Sequence, residues 1–134
     1  MSSRPPDLHE LLSDLSVHQR PGRWCMVSGV TIPAGVTALA TIVEDEGTTT
    51  VLSATDAEQL GVRPEFVAAW LTLEVDSPLD SVGLTAAVAT ALATADIPCN
   101  VLAGYHHDHL LVPIDQAERS IAVLNELRSG SHPR

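Results

Sequence analysis

Residues 83–113 read GLTAAVATALATADIPCNVLAGYHHDHLLVP, and two periodicities divide them. In the first part Leu84, Ala87, Val88, Ala91, Leu92 and Ala95 recur at i, i+3, i+4, i+7, i+8 and i+11, the apolar stripe of a helix with one covered face. In the second part Ile97–Gly104 and His109–Pro113 are apolar runs on either side of Tyr105-His106-His107-Asp108, which predicts two strands joined at a polar tip. Upstream, Val67–Val75 reads as a strand; downstream, Ile114, Ala117, Ile121 and Leu124 mark a last helix. The order is strand, helix, strand, strand, helix.

The preceding residues repeat that order imperfectly. Asp7 with Glu10 three residues on, then Leu8, Leu11, Leu12 and Leu15, predicts a short amphipathic helix that Gln19-Arg20-Pro21-Gly22 is expected to break. Arg23–Val30 reads as a strand with Trp24, Met26 and Ser28 on one face, and Thr31–Val36 as a loop. Ala38–Glu44 and Thr48–Ser53 flank Asp45-Glu46-Gly47 as an antiparallel hairpin. Thr55 is expected to cap a short helix, Asp56–Leu60, which Gly61 stops before Arg63-Pro64-Glu65 leads into the next strand. This half reads strand, loop, strand, strand, short helix, as a duplicate that has lost its first crossover helix would. The expected organisation is an N-terminal helical segment over 1–20, a degenerate first half over 21–65, a complete second unit over 66–128 and a frayed tail over 129–134.

Composition narrows the function classes. With 134 residues, 45% hydrophobic and only 3% aromatic, the core is built from Ala, Val, Leu and Ile, which suits helix-on-sheet layers. Seven basic against 17 acidic residues disfavours nucleic acid as a partner, since phosphate neutralisation needs the opposite balance. All the basic residues are Arg, so Schiff-base chemistry and the lysine-bearing phosphate loop are excluded. Cys25 and Cys99 read as reduced thiols, no apolar run approaches the roughly 20 residues of a membrane span, and no export signal is evident, so a soluble cytoplasmic protein is expected.

Three segments in order carry a family resemblance. Ser77-Pro78-Leu79-Asp80-Ser81-Val82-Gly83-Leu84-Thr85 resembles the strand-to-helix turn of ACT domains, in which an acidic residue, two variable positions, a glycine and an aliphatic follow one another. Ala95-Asp96-Ile97-Pro98-Cys99-Asn100-Val101 resembles their helix-to-strand passage, with Asn100 at a position that is often polar. Ala103–Pro113, ending in Leu-Leu-Val-Pro, is similar to the second hairpin of short tandem-ACT proteins. The resemblance implies an α+β fold: two ferredoxin-like (βαββαβ-related) repeats with antiparallel sheets, helices packed on one face and the first repeat degenerate. It also implies a non-catalytic regulatory protein without cofactor, a homodimer that binds a small molecule, an amino acid above all, at a module or dimer interface. In that reading Val82, Gly83 and Leu84 offer backbone groups to the ligand carboxylate, Asp108 accepts its ammonium, Asn100 adds a hydrogen bond, and Asp80 and Val101 flank the site.

Each candidate has a plainer alternative. Gly83 can serve helix–sheet packing alone, and Asp80 can cap the helix. His106, His107, Asp108 and His109 form a polar cluster that could ligate a metal, giving a metal-binding protein or metal-dependent enzyme as the alternative function. Along an extended chain, however, His107 and His109 share a face while His106 and Asp108 point the other way. Cys99 lacks the glycine-flanked elbow or oxyanion loop of a nucleophile and reads as a buried small hydrophobe. Trp24 and Trp70 read as core or interface anchors.

Overall fold

The computed structural model describes residues 7–130. The chain runs α1 (Leu8–Asp14), β1 (Ser16–Ser28), β2 (Ala40–Glu44), β3 (Gly47–Ser53), α2 (Ala54–Gln59), β4 (Ala68–Glu74), α3 (Leu84–Thr94), β5 (Asn100–Ala103), β6 (Asp108–Pro113) and α4 (Ala117–Gly130), with a 3-10 turn at Ile114–Gln116 before α4. The strands form one antiparallel sheet in the order β2-β3-β1-β4-β6-β5. Its two halves, β2-β3-β1 and β4-β6-β5, repeat one pattern: the third strand of each pairs with both the first and the second, and β1 joins β4 at the centre. The fold is thus α+β with two repeats, and the first lacks its crossover helix, as its residue order predicts: 30–39 is irregular.

Strand β1 departs from expectation. It starts at Ser16 rather than Arg23, and Pro21-Gly22 do not break it. Arg20 pairs with Trp70 and Trp24 with Ala68, so Pro21, Gly22 and Arg23 bulge opposite Ala69 alone. Inside a bulge the missing N–H of Pro21 costs no ladder bond, and Gly22 takes φ +115°, which favours glycine. Cys25 and Val27, not Trp24 and Met26, face the helices.

All four helices lie on one face of the sheet. Leu11, Leu12 and Leu15, together with Leu84, Val88, Leu92 and Leu124, cover Leu71, Leu73, Leu110 and Val112 of β4 and β6. The fully buried leucines among these, such as Leu11, Leu71 and Leu124, each contribute about 1.5–3 kcal/mol relative to exposure. Ala57 of α2 closes a smaller cluster on Cys25, Val27 and Leu52. The cap of α2 is Ser53, whose hydroxyl accepts from the Asp56 N–H at 3.0 Å, not Thr55.

Two helices stop by the same device. At the end of α2, Val62 N–H bonds Ala57 C=O and Gly61 N–H bonds Glu58 C=O; at the end of α3, Ile97 bonds Leu92 and Asp96 bonds Ala93 in the same pattern. Ile97 therefore belongs to the helix stop, and β5 is shorter than expected, starting at Asn100. The left-handed residue is Gly61 in one case and Asp96, at φ +63°, in the other. The last helix continues to Gly130, so Ser129 is helical; 131–134 of the expected tail, and 1–6, lie outside the described residues.

Candidate functional site

The chain from β4 to α3 crosses the end of the sheet and enters the helix at Gly83, the N-cap, with φ +102° and ψ −19°. A Cβ there would meet Leu8 Cδ2 of α1 at 3.2 Å, so both backbone conformation and close packing require glycine. No side chain caps the helix, and Ala87 is the first residue whose N–H bonds back, to Gly83 C=O at 2.9 Å. The amides of Leu84, Thr85 and Ala86 thus precede the hydrogen-bonded ladder at the positive end of the helix dipole.

The β5–β6 tip stands opposite. Gly104 N–H bonds His107 C=O at 3.0 Å, and a Cβ at Gly104 would lie 2.8 Å from that same oxygen, so the turn closes only with glycine. Asp108 follows as the first residue of β6, and the Thr85 hydroxyl donates to its Oδ2 at 3.4 Å, which ties the tip to the helix start. Between them lies a cleft of about 460 Å³, lined among others by Ser77, Ser81, Gly83, Thr85, Tyr105 and Asp108.

Of the residues expected at the site, Gly83, Leu84 and Asp108 line this cleft. Asp80 and Val82 are exposed in the loop beside it, and Asp80 makes no cap. Asn100 and Val101 lie further along β5; Val101 borders a different groove. Ser77, Ser81, Thr85 and Tyr105 were not anticipated, although the first three fall inside the turn segment that carried the resemblance.

The histidines do not converge. Tyr105 and His106 rings meet edge-on at 5.1 Å, and His107 and His109 are 6.5 Å apart by centroid. No group of three His, Cys, Asp or Glu among the described residues is placed to hold a metal. His109 is engaged elsewhere: Trp70 Nε1 lies 3.2 Å from both its Nδ1 and Thr72 Oγ1, and Nδ1 lies 2.9 Å from Thr72 Oγ1, a set of contacts that suits a neutral ring with its proton on Nε2. Burial first, then the nearby charges of His107 and Arg20, hold its pKa below the ordinary histidine value, partly offset by Asp108. Cys25 and Cys99 are free thiols whose pKa burial raises, with Glu58 adding to the effect at Cys25, so neither is disposed to act as a thiolate.

Comparison with known proteins agrees with the repeat. One ACT-domain family model matches residues 6–69 and another matches 65–126. No curated protein matches the chain. Among solved structures, a Vibrio cholerae protein of unknown function, a possible transport protein, is 35% identical with a TM-score of 0.81, over 90% of this chain and 95% of its own. An Agrobacterium tumefaciens protein is 21% identical, TM-score 0.60, over 85% and 89%. The ligand-free regulatory subunit of aspartate kinase from Thermus thermophilus shares the fold at 10% identity, TM-score 0.62, over 83% and 95%. The described residues contain no helix long and apolar enough to cross a membrane.

Proposed function

Since the chain belongs to the ACT-domain family and carries two such domains in tandem, we propose that it is a non-catalytic sensor that holds a free amino acid in the cleft between Gly83 and Asp108. The observation that carries this reading is that one cleft of about 460 Å³ has unbonded helix amides on one wall and a carboxylate on the other. An α-amino acid presents the complementary pair. Its carboxylate meets the N–H groups of Leu84, Thr85 and Ala86, and its ammonium meets Asp108, with Thr85 keeping the two walls in register.

The same site favours a homodimer. Leu79, Val82 and Tyr105 surround the cleft at 73%, 84% and 76% exposure, an apolar rim that a second copy would cover while enclosing the ligand. Ligand binding then shifts the population of the dimer arrangement, which is the regulatory output. Regulatory subunits of aspartate kinase have this fold. The free, protonated thiols fit a reducing cytoplasm. The splayed histidines give the metal reading no support.

The test is a thermal-shift screen against the common amino acids and divalent metals, repeated on Asp108→Asn. A ligand at 100 times its dissociation constant adds about 2.7 kcal/mol, several degrees in a domain of this size. Stabilisation by an amino acid that Asp108→Asn abolishes supports the reading; stabilisation by metals alone contradicts it.

A further inference from the structure

On the sheet face away from the helices, Trp24 and Trp70 meet edge to face at 6.1 Å. The Arg20 guanidinium stands 5.0 Å over the Trp70 ring and 5.9 Å from that of Trp24. In a chain with 17 acidic and 7 basic residues, Arg20 has no carboxylate partner among the described residues. Its positive charge is held on the aromatic pair and left uncompensated.

Of this cluster Trp70 lines a groove, with Trp24 and Arg20 packed beside it. The sheet curls so that its two edge strands, β2 and β5, border a common space of about 350 Å³, with Leu39 and Ile42 on one wall, Leu102 on the other and Trp70 and His109 beneath. The contacts of His109 Nδ1 with Trp70 and Thr72 suit a proton on Nε2, and that nitrogen lies 3.4 Å from where a Gly104 Cβ would stand, at the groove wall. The groove therefore has apolar walls, an aromatic floor and an N–H donor, with a cation on the flank of Trp70. No carboxylate lines it.

We propose that this groove is a second binding site, which takes a small carboxylic acid with an aromatic or branched apolar body and no cationic group. The size holds one ring and a short chain, at the lower end of ligand pockets. The ring lies against Trp70 and between Leu39, Ile42 and Leu102, and the carboxylate turns to Arg20 and His109 Nε2–H. A free amino acid is disfavoured here, since its ammonium would enter without a carboxylate to receive it. That separates this site from the Asp108 cleft.

Of the two tryptophans Trp70 lines the groove and Trp24 meets it edge to face at 6.1 Å, so intrinsic emission is sensitive to an occupant lying against Trp70. The probe is 3-phenylpropionate, titrated into the full chain beside 2-phenylethylamine and L-phenylalanine. Saturable change in emission is expected with 3-phenylpropionate, and at least about tenfold weaker binding of the two ammonium-bearing analogues. Arg20→Gln and, independently, Ile42→Glu at an exposed position should each weaken the probe about tenfold or more, the ratio that follows from removing or opposing a charge-assisted contact. Asp108→Asn should leave it unchanged. Absence of a saturable response at millimolar probe, unchanged affinity in both groove variants, or loss in Asp108→Asn would overturn the proposal.

Discussion

Replacing Gly83 with alanine tests the geometry on which the cleft depends. At φ +102° the left-handed conformation costs an L-residue about 1–2 kcal/mol, and a Cβ 3.2 Å from Leu8 Cδ2 forces α1 to give by a few tenths of an ångström, about 1 kcal/mol more. The sum, about 2–3 kcal/mol, lowers the melting temperature by roughly 8–12 °C at this chain length. Leu8→Ala removes the steric part and leaves the backbone strain. In that background Gly83→Ala should cost only about 1–2 kcal/mol, so a double-mutant cycle gives a coupling near 1 kcal/mol. Urea unfolding of the four variants measures it. A loss below about 0.5 kcal/mol, or strict additivity, refutes the reasoning about how α1 seats against the Gly83 turn.

Three further outcomes follow from single residues. Asp96→Gly should stabilise by about 0.5–1 kcal/mol, because Asp96 occupies the left-handed position of a helix stop that Gly61 fills in the other repeat; calorimetry showing destabilisation would contradict it. Gly104→Ala should cost about 1–3 kcal/mol and weaken amino-acid binding, since the Cβ meets a backbone oxygen at 2.8 Å and the turn carrying Asp108 must move; wild-type affinity in titration calorimetry would count against the tip's role. His109 has a depressed pKa when folded, so the unfolded chain takes up the proton first; the stabilisation is complete above the free value near 6.5 and is lost as pH falls below it. His109→Asn keeps an acceptor for Trp70 and does not titrate, so its melting temperature should fall less than wild type from about pH 7 to about pH 5, and parallel curves would exclude the effect.

What could be read from sequence was local. The helix Leu84–Thr94 and the Gly47 hairpin follow from periodicity and turn residues, and the shared order of strands gave the repeat. Pro21-Gly22 read as the end of the N-terminal helix because proline and glycine interrupt helices; only the pairing of Arg20 with Trp70 and of Trp24 with Ala68 shows a strand already under way and bulging through them. Gly83, Leu84 and Asp108 come to line one cleft because a strand-to-helix turn and a hairpin tip fall at the same end of a β-α-β-β unit. Asn100 and Val101 do not line that cleft, because β5 carries them away from that end. The Arg20, Trp70 and His109 cluster was invisible, since its members come from three strands and meet only through register.

The most direct test of the sensor reading is amide NMR of the full chain titrated with the amino acid that stabilises it most. Saturating shifts at Leu84, Thr85 and Ala86, together with Asp108 and its neighbours, and their disappearance in Asp108→Asn, are the expected result. Binding that leaves these amides unmoved while perturbing residues elsewhere would contradict the assignment of the cleft, whatever the affinity.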